Sequence, residues 1–362
     1  YGVANLILCP GMFCNLYESL FKMKILLIKM SSLGDLLHTM PAVTDACSSL
    51  EGLHIDWLCE EPFADIARLH PQVNIIPHGR LRWKKKRLAW STIKEQWQFY
   101  HWLRKQDYDL VIDAQGRIKS ARVGWLSGSP VCGPSRDSAT DEETHWFYRR
   151  SVDTRVVSNA VDKTRVLFSD ALGYKFSGSA DFGIDPERLA PCVDTMRDQV
   201  VFLHGTTWAS KHWPESEWIR LMGFAREAGI GVLLPWANDE ERERAERIIA
   251  ASHWGQMLPK MALWELCGII GRSLGAVGVD TGLMHVAAAM EVPTVSVFGS
   301  TSVTLTGAMG KHVINLQADY SCSPCRKKIC SEAVEGTPPC YKTLPAGKVW
   351  DSLLHLIEEK SE

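Results

Sequence analysis

Apolar runs of strand length alternate with amphipathic stretches of helical spacing along most of the chain. The strand-like runs cover residues 24–29, 54–60, 109–115, 200–205, 230–236, 274–280 and 294–299. Short buried strands separated by helices of about 10–15 residues are typical of βαβ units and parallel sheets. The pattern therefore predicts an α/β protein built from doubly wound, Rossmann-like sheets.

The alternation breaks in the polar stretch of residues 134–160, and a linker is predicted near residues 180–197. Because a typical domain has about 150 residues, a chain of 362 residues is expected to form two of them. Ligands of such sheets bind outside the carboxyl ends of the strands, so we expect a cleft between two facing domains. The strand pattern begins at Met23. The predicted units are a non-native or disordered N-terminal extension (1–22), an N-terminal domain (23–185), a C-terminal domain (186–345) and a C-terminal helix that packs back on the N-terminal domain (346–362).

Composition and charge exclude two classes of function. The formal net charge is −2, so the chain has no overall basic field for nucleic acid. No apolar run approaches the roughly 18 residues of a membrane-spanning helix. Any anionic partner must therefore bind to a local patch of positive charge.

The loop after the first predicted strand contains the sequence Ser32-Leu-Gly-Asp35. This spacing matches a capping box, in which a serine caps a helix and an acid reaches back to it. A carboxylate at a helix N-terminus also stays ionised and fixed in direction. Asp35 is therefore either a simple helix cap or a general base that takes a proton from an attacking sugar hydroxyl.

Two loops in the second half are candidates for binding phosphate. Thr206, Thr207 and Lys211 follow the strand 200–205, where a lysine is either solvated or a counter-charge for phosphate. Asp280, Thr281 and Gly282 open a helix whose free N–H groups form a potential anion site, with His285 one turn further on. The alternative for the second loop is an ordinary strand-to-helix turn. Neither a G-x-G-x-x-G nor a G-x-x-x-x-G-K-[ST] motif is present.

Two further segments are less specific. In the charged helix after residue 236, i,i+4 ion pairs indicate a solvated face, which leaves Trp236 and Glu241 as candidates for contacting a nucleoside. The basic run Arg80–Trp90 is either a solvated surface or, since it contains tryptophan, a surface that meets phosphorylated lipid at a membrane.

Four of the eleven cysteines cluster near the C-terminus with the spacing C-x2-C-x4-C-x9-C. This spacing is compatible with a structural zinc site, although free thiols or a redox pair are equally consistent with it. The four residues are Cys322, Cys325, Cys330 and Cys340.

Six motifs in register resemble those of the bacterial ADP-heptose:lipopolysaccharide heptosyltransferases, glycosyltransferase family 9. They are KMSSLGDLLHTMPAVTDA, VIDAQGRIKSA, FLHGTTWASKHWPE, LLPWANDEER, LPKMALWEL and VDTGLMHVAAA. The resemblance covers nearly the whole chain from Met23 onward. It implies a GT-B fold with an acceptor-binding N-terminal domain and a donor-binding C-terminal domain. It also implies inverting, metal-independent transfer of L-glycero-D-manno-heptose to the Kdo of Kdo2-lipid A, without a cofactor.

The same resemblance implies a role for each matching residue. The implied catalytic residues are Asp35 as base and Lys211 at the leaving diphosphate. The implied donor-binding residues are Thr206, Thr207, Lys211, Trp236, Glu241, Met261, Asp280, Thr281, Gly282, Leu283 and His285, and the donor is ADP-L-glycero-β-D-manno-heptose. The implied acceptor-binding residues are Ser31, Ser32, Arg82, Lys84, Lys85 and Lys119.

The implied setting is a monomer in the cytoplasm, peripheral on the cytoplasmic face of the bacterial inner membrane. Leu81 departs from the family pattern, because a cation is expected at this position of the basic patch. The alternatives are a family member that uses another acceptor and, in a different class, a non-catalytic protein that binds sugar nucleotide or lipid.

Overall fold

The computed structural model describes residues 23–86, 89–185, 189, 198–334 and 336–362. The proposed N-terminal extension and most of the predicted linker lie outside these residues. The domain boundary between residues 185 and 186 falls at the edge of the described part and stays a prediction.

The first domain is a parallel sheet with helices on its faces. Its strands in the described residues are β1 (Lys24–Ile28), β2 (His54–Glu60), β3 (Val73–His78), β4 (Leu110–Asp113), β5 (Val131–Pro134) and β6 (Arg150–Val152). Its α-helices there are α1 (Leu33–Leu37), α2 (Met40–Ser49), α3 (Ala64–Ala67), α4 (Arg80–Lys85), α5 (Trp90–Arg104), α6 (Ile118–Leu126) and α7 (Ala160–Leu172).

The second domain repeats this architecture. Its described strands are β7 (Gln199–Leu203), β8 (Gly231–Leu234), β9 (Gln256–Met257), β10 (Gly275–Val279), β11 (Thr294–Phe298) and β12 (Val313–Gln317). Its described α-helices are α8 (Glu215–Glu227), α9 (Asp239–Ser252), α10 (Leu263–Arg272), α11 (Gly282–Ala289), α12 (Val303–Thr306) and α13 (Ala346–Ser361).

Both sheets have the strand order of a Rossmann fold. The first runs β3-β2-β1-β4-β5-β6 and the second β12-β11-β10-β7-β8-β9. In each sheet the order reverses beside the first strand of the domain, between β1 and β4 and between β7 and β10. Ligands bind at such switch points, at the carboxyl ends of the strands. The prediction of two doubly wound, Rossmann-like domains is confirmed.

All seven predicted strands are present, with ends shifted by at most two residues. The central strand β1 explains this success, since Ile25 to Ile28 are fully buried and read as one continuous apolar run. Five strands were missed: β3, β5, β6, β9 and β12. These have two to six residues, lie in the outer parts of the sheets and carry a weaker apolar signal.

The prediction that the C-terminal helix packs on the N-terminal domain is wrong. Helix α13 packs on α8, β10 and β11 of the second domain. Its apolar stripe of Val349, Leu353 and Leu356 is buried in the core of that domain. The backbone N–H of Ala346 also donates to Glu217 Oε2 of α8, at 2.8 Å. The helix thus packs on the sheet of its own domain.

Among the described residues, no helix combines the length and apolar character needed to cross a bilayer.

Candidate active site

The two domains meet where the helices after β1 and β10 begin. A Cβ added at Gly282, the first residue of α11, would lie 2.8 Å from Leu33 Cδ2 of α1. A Cβ at Gly34 would lie 3.2 Å from His285 Cδ2. Leu36 and Met284 belong to one continuous buried cluster that spans both domains. The N-terminal ends of α1 and α11 therefore share one cleft, and glycine allows their close approach.

Asp35 occupies the first turn of α1 and forms the predicted capping box. Its Oδ2 accepts hydrogen bonds from Ser32 N at 2.8 Å and from Ser32 Oγ at 2.9 Å. Its Oδ1 accepts no hydrogen bond from the described residues and lies 3.8 Å from Lys29 Nζ. The side chain is 42% exposed. One carboxylate oxygen is therefore fixed by the cap, and the other is available to a ligand.

The surroundings of Asp35 keep it ionised. Partial burial alone would raise the pKa of its carboxyl. The charge of Lys29 and the two hydrogen bonds from Ser32 lower the pKa by more than burial raises it, so the pKa of Asp35 lies below its ordinary value. Lys29 is itself held by a hydrogen bond to Ala114 O at 2.9 Å. The carboxyl of Asp35 is thus ionised near neutral pH.

Lys211 lies on the opposite wall, in a salt bridge with Asp280. Lys211 Nζ is 2.7 Å from Asp280 Oδ2, and both side chains are largely buried. The ammonium lies over the Trp208 ring, 4.8 Å from its centroid. Tyr341 donates its hydroxyl hydrogen to Lys211 O at 2.7 Å. The salt bridge and the Trp208 ring thus hold the ammonium, and the Tyr341 hydrogen bond holds the backbone of Lys211 in the loop after β7.

The predicted phosphate loops lie side by side. Thr206 Oγ1 donates to Asp280 O at 3.3 Å, which joins the loop after β7 to the loop after β10. Thr207 is exposed next to it. Thr281 is the N-cap of α11 with an extended backbone, so the first N–H groups of this eight-residue helix lie at the cleft. A helix N-terminus beside a lysine is an arrangement that can bind an anion such as a phosphate group.

A pocket of about 380 Å³ adjoins these loops and has the size of a ligand site. It is lined by five of the predicted donor residues and by Leu33 of the first domain. The five are Trp236, Glu241, Met261, Thr281 and Leu283. Trp236 is fixed by a hydrogen bond from Nε1 to Leu258 O at 2.8 Å. The lining is largely apolar, with Glu241 and Lys260 as its charged residues, which is typical of a small-molecule site.

Glu241 lies in this pocket because Gly205 has no side chain. A Cβ at Gly205 would lie 2.6 Å from Glu241 Oε1. Glu241 Oε2 accepts a hydrogen bond from Ala237 N at 2.8 Å. The glutamate carboxylate is therefore held at the floor of the pocket and not on the solvated face of α9.

His285 of the second domain pairs with His38 of the first domain. His38 Nε2 is 3.1 Å from His285 Nδ1, and the rings meet edge to face. Burial lowers the pKa of His285, and burial together with His285 lowers the pKa of His38 to about 3. Both rings are therefore neutral, and one donates while the other accepts.

The first domain contains a second group of charges at the carboxyl ends of β1 to β4. Lys119 Nζ lies 3.5 Å from Ser31 Oγ and 3.9 Å from Glu60 Oε1. Arg80 Nε donates to the same buried Glu60 at 2.6 Å. Burial and the charge of Arg80 lower the pKa of Lys119. The backbone N–H of Ser31 donates a hydrogen bond to Gln115 Oε1 at 3.1 Å.

The predicted acceptor residues of the basic run differ from one another. Arg82 is engaged by two carboxylates, Glu61 at 2.9 Å and Glu95 at 2.7 Å. Lys84 and Lys85 are exposed, and no acidic side chain among the described residues forms a salt bridge with them. Lys84 also lines a cavity of about 420 Å³ together with three further cations, Arg80, Lys119 and Arg122. Leu81 lines a separate hollow beside Arg82 and Lys85.

The cysteine cluster does not form a set of metal ligands that would support the hypothesis of a structural zinc site. In the part of the chain that the structure describes, no group of three or more His, Cys, Asp or Glu side chains is placed to hold a metal ion. The four cysteines are free thiols. Burial and the neighbouring thiols raise the pKa of Cys340 to about 11.

Sequence reasoning missed several residues of the site. Lys29, Glu60 and Gln115 lie at or just after the ends of β1, β2 and β4, where a parallel sheet places its ligands. Their position at the carboxyl ends of strands was the sequence signal that could have identified them. His38 carried no such signal, because its partner is 247 residues away.

The chain is similar to known proteins over most of its length. Residues 96–334 match the family model described as glycosyltransferase family 9 (heptosyltransferase). The chain is 44% identical over 314 residues to lipopolysaccharide heptosyltransferase 1 of Pseudomonas aeruginosa, across 85% of this chain and 88% of that protein. It is 38% identical over 293 residues to lipopolysaccharide heptosyltransferase 1 of Escherichia coli K12, across 80% of this chain and 92% of that protein.

Solved structures match over nearly the full length. The structure of E. coli heptosyltransferase WaaC with ADP has a TM-score of 0.80 at 34% identity and covers 93% of this chain and 99% of that chain. E. coli ADP-heptose lps heptosyltransferase II, at 20% identity and a TM-score of 0.74, covers 94% of this chain and 100% of that chain. The second likeness concerns the fold alone.

Proposed function

Since the chain belongs to glycosyltransferase family 9, the heptosyltransferases, we propose that it transfers L-glycero-D-manno-heptose from ADP-L-glycero-β-D-manno-heptose to the Kdo of Kdo2-lipid A. The carrying observation is that one cleft of this GT-B-type arrangement holds Asp35 on one wall and Lys211 with the N-terminus of α11 on the other. These are the groups that an in-line displacement at a sugar carbon requires on its two sides.

Asp35 is the general base of the proposed reaction. The Kdo hydroxyl gives its proton to Asp35 Oδ1, and its oxygen forms a bond to the anomeric carbon of the heptose. Because Oδ2 is occupied by Ser32, the carboxylate keeps one orientation throughout. Attack opposite the leaving group converts the β-linked donor into an α-linked product.

Lys211 and the first turn of α11 stabilise the leaving group. As the bond from the anomeric carbon to the diphosphate oxygen breaks, negative charge develops on ADP. An ammonium has three donors, so Lys211 can keep Asp280 and still bind a phosphate oxygen. The free N–H groups near Thr281 and Gly282 add fixed dipoles. The residues present thus supply the charge stabilisation, and no cofactor is proposed.

The pocket beside these loops is proposed to bind adenosine. Trp236, Met261 and Leu283 supply apolar contacts for the base. The carboxylate of Glu241 is available to accept hydrogen bonds from the ribose hydroxyls, as acidic residues do in Rossmann folds.

The cavity lined by Arg80, Lys84, Lys119 and Arg122 is proposed to bind the acceptor. Kdo carries a carboxylate and lipid A carries phosphates, and both anions match clustered Arg and Lys side chains. Since the acceptor is lipid-linked, we place the enzyme in the cytoplasm, peripheral on the cytoplasmic face of the inner membrane. The monomeric state stays a prediction.

The test is an incubation of the purified protein with ADP-heptose and Kdo2-lipid A, read by mass spectrometry. Addition of one heptose, α-linked by NMR, supports the proposal. A parallel incubation uses Kdo2-lipid A that already carries one heptose, and transfer only to that acceptor would identify a member that adds the second heptose. Binding of ADP-heptose with transfer to neither acceptor would contradict the proposal and favour a non-catalytic binding protein.

A further inference from the structure

Helix α5 leaves one apolar face uncovered. Trp90 is 77% exposed, Trp97 is 66% exposed and Ile93 is 46% exposed. Their spacing of i, i+3 and i+7 places them on the same side of a helix with 3.6 residues per turn. The opposite side is anchored, because Thr92 and Leu103 are buried. This outer face of α5, defined by Trp90, Ile93 and Trp97, therefore points away from the domain.

The outer face carries positive charge and no carboxylate. Lys94 and His101 fall on the same side of the helix by their spacing, as does Arg104, whose Nε however donates to Leu126 O of α6 at 3.0 Å. The rings of Trp97 and His101 stack, with centroids 5.1 Å apart and planes at 6°. Glu95 is the one acidic residue of the helix, and Arg82 of α4 binds it.

Basic residues also flank the start of this face. Lys84, Lys85 and Lys86 are exposed at the end of α4. The backbone N–H of Ala89 donates to Lys86 O at 3.0 Å, which places the start of α5 directly after this basic end. The tryptophans thus lie beside a group of lysines that is exposed to solvent.

The inner edge of the same helix borders the proposed acceptor cavity. Gln96 and Tyr100 of α5 line that cavity together with Arg80 and Lys119. One helix therefore presents an exposed aromatic and basic face on its outer side and a wall of the anion-binding cavity on its inner edge.

We propose that the outer face of α5 inserts into the headgroup region of an anionic lipid bilayer. Tryptophan favours this region because its ring is apolar and its N–H is polar. A helix with an exposed apolar stripe and basic flanks binds in the plane of the interface. Lysine near the surface adds attraction for anionic lipid, and this charge complementarity favours a bilayer over a protein partner. The cavity then opens close to the headgroups, where a lipid-linked sugar is held.

The inference identifies the surface by which the protein binds the membrane that holds its proposed lipid-linked acceptor. It therefore rests on the proposed function. Its first test does not need that function. The full-length protein is floated with vesicles of phosphatidylethanolamine and phosphatidylglycerol, and with vesicles of phosphatidylcholine alone. The double variant Trp90→Ser/Trp97→Ser is compared with Trp146→Ser, whose tryptophan is also 77% exposed but lies outside α5.

We expect binding to the anionic vesicles only, weakened by salt, with the double variant binding about tenfold more weakly and Trp146→Ser unchanged. An unchanged melting temperature shows that the double variant is folded. Vesicle binding equal to that of the wild type would overturn the inference. A wild-type dimer that the double variant disrupts would also overturn it, because the face would then be covered by a second copy.

The second test compares acceptors. The double variant is expected to lose transfer to Kdo2-lipid A in vesicles but to keep transfer to the same acceptor with its acyl chains removed. Equal loss with both acceptors would contradict membrane docking. If the wild type transfers to neither acceptor, the proposed function fails, and the vesicle experiment still decides the inference.

Discussion

His38 of the first domain and His285 of the second are joined by a hydrogen bond across the cleft, with 3.1 Å between Nε2 and Nδ1. His38 ends the helix that carries Asp35, and His285 lies in the helix whose N-terminus faces the proposed diphosphate site. The pair therefore links the helix of the proposed base to the helix at the proposed donor site. It forms only when at least one ring is neutral, since two imidazolium ions would repel.

The first prediction concerns pH. The folded-state pKa of His38 is about 3, below its ordinary value of 6.5, because of burial and of His285. Between these values the unfolded chain binds more protons than the folded one, so stability is present above pH 6.5 and lost as the pH falls towards 3. The charged groups around the pair are Asp35 and Lys29 at His38, and Asp280 and Lys211 at His285.

We expect His38→Gln to flatten the fall of melting temperature between pH 6.5 and 4, measured by calorimetry. His101→Gln, at an exposed histidine of α5, serves as the matched control and should keep the wild-type slope. Other buried histidines also contribute to the dependence of the melting temperature on pH. An unchanged slope in His38→Gln would show that the pair does not couple folding to pH.

The second prediction separates the cap from the catalyst at Asp35. Asp35→Asn keeps an oxygen that accepts from Ser32 but removes the base, so kcat is expected to fall by about 10²–10⁴-fold. Affinity for ADP, measured by calorimetry, should be unchanged. Glu265→Gln is the matched control, because Glu265 caps α10 by accepting from Ala262 N at 2.7 Å. If both variants lose only stability and keep activity, Asp35 is a structural cap.

The third prediction concerns the salt bridge of Lys211 and Asp280. Lys211→Met leaves the Asp280 carboxylate buried and unpaired, which costs about 3–5 kcal/mol of folding stability. It also removes a cation from the leaving group, so kcat should fall by about 10²-fold or more. The double variant Lys211→Met/Asp280→Asn should regain stability in thermal unfolding without regaining kcat. Recovery of both would mean that the lysine acts only as a structural partner.

The fourth prediction concerns the pocket that is proposed to bind the nucleoside. Gly205→Ala places a methyl group 2.6 Å from the present position of Glu241 Oε1, so the glutamate must move. Affinity for ADP should weaken about tenfold, as expected when about 1.4 kcal/mol of binding free energy is lost. Gly223→Ala is the control, since an added Cβ there meets nothing within 4 Å. In helix α8 it should stabilise the fold by about 0.5–1 kcal/mol and leave ADP binding unchanged. Unchanged ADP affinity in Gly205→Ala would contradict the role of Glu241.

The fold was largely readable from the sequence because central strands of parallel sheets are buried on both faces. Strands such as β1 and β10 are therefore uniformly apolar, and the polar residues that follow them stand at the ligand edge. Strands such as β9, with two residues, offered no comparable run. The position of α13 was misjudged because an amphipathic helix specifies which of its faces is buried but not which sheet it covers.

The sequence by itself determined the two Rossmann-like sheets, the capping box at Asp35 and the positions of Lys211, Thr281 and Gly282 at strand ends. These features depend on local spacing and on periodic burial. Only the tertiary structure decided that His38 pairs with His285, that Glu241 enters the pocket over Gly205, and that Arg82 is engaged by Glu61 and Glu95. Such contacts depend on how two domains and separate helices are positioned in space, and distance along the chain carries no information about that.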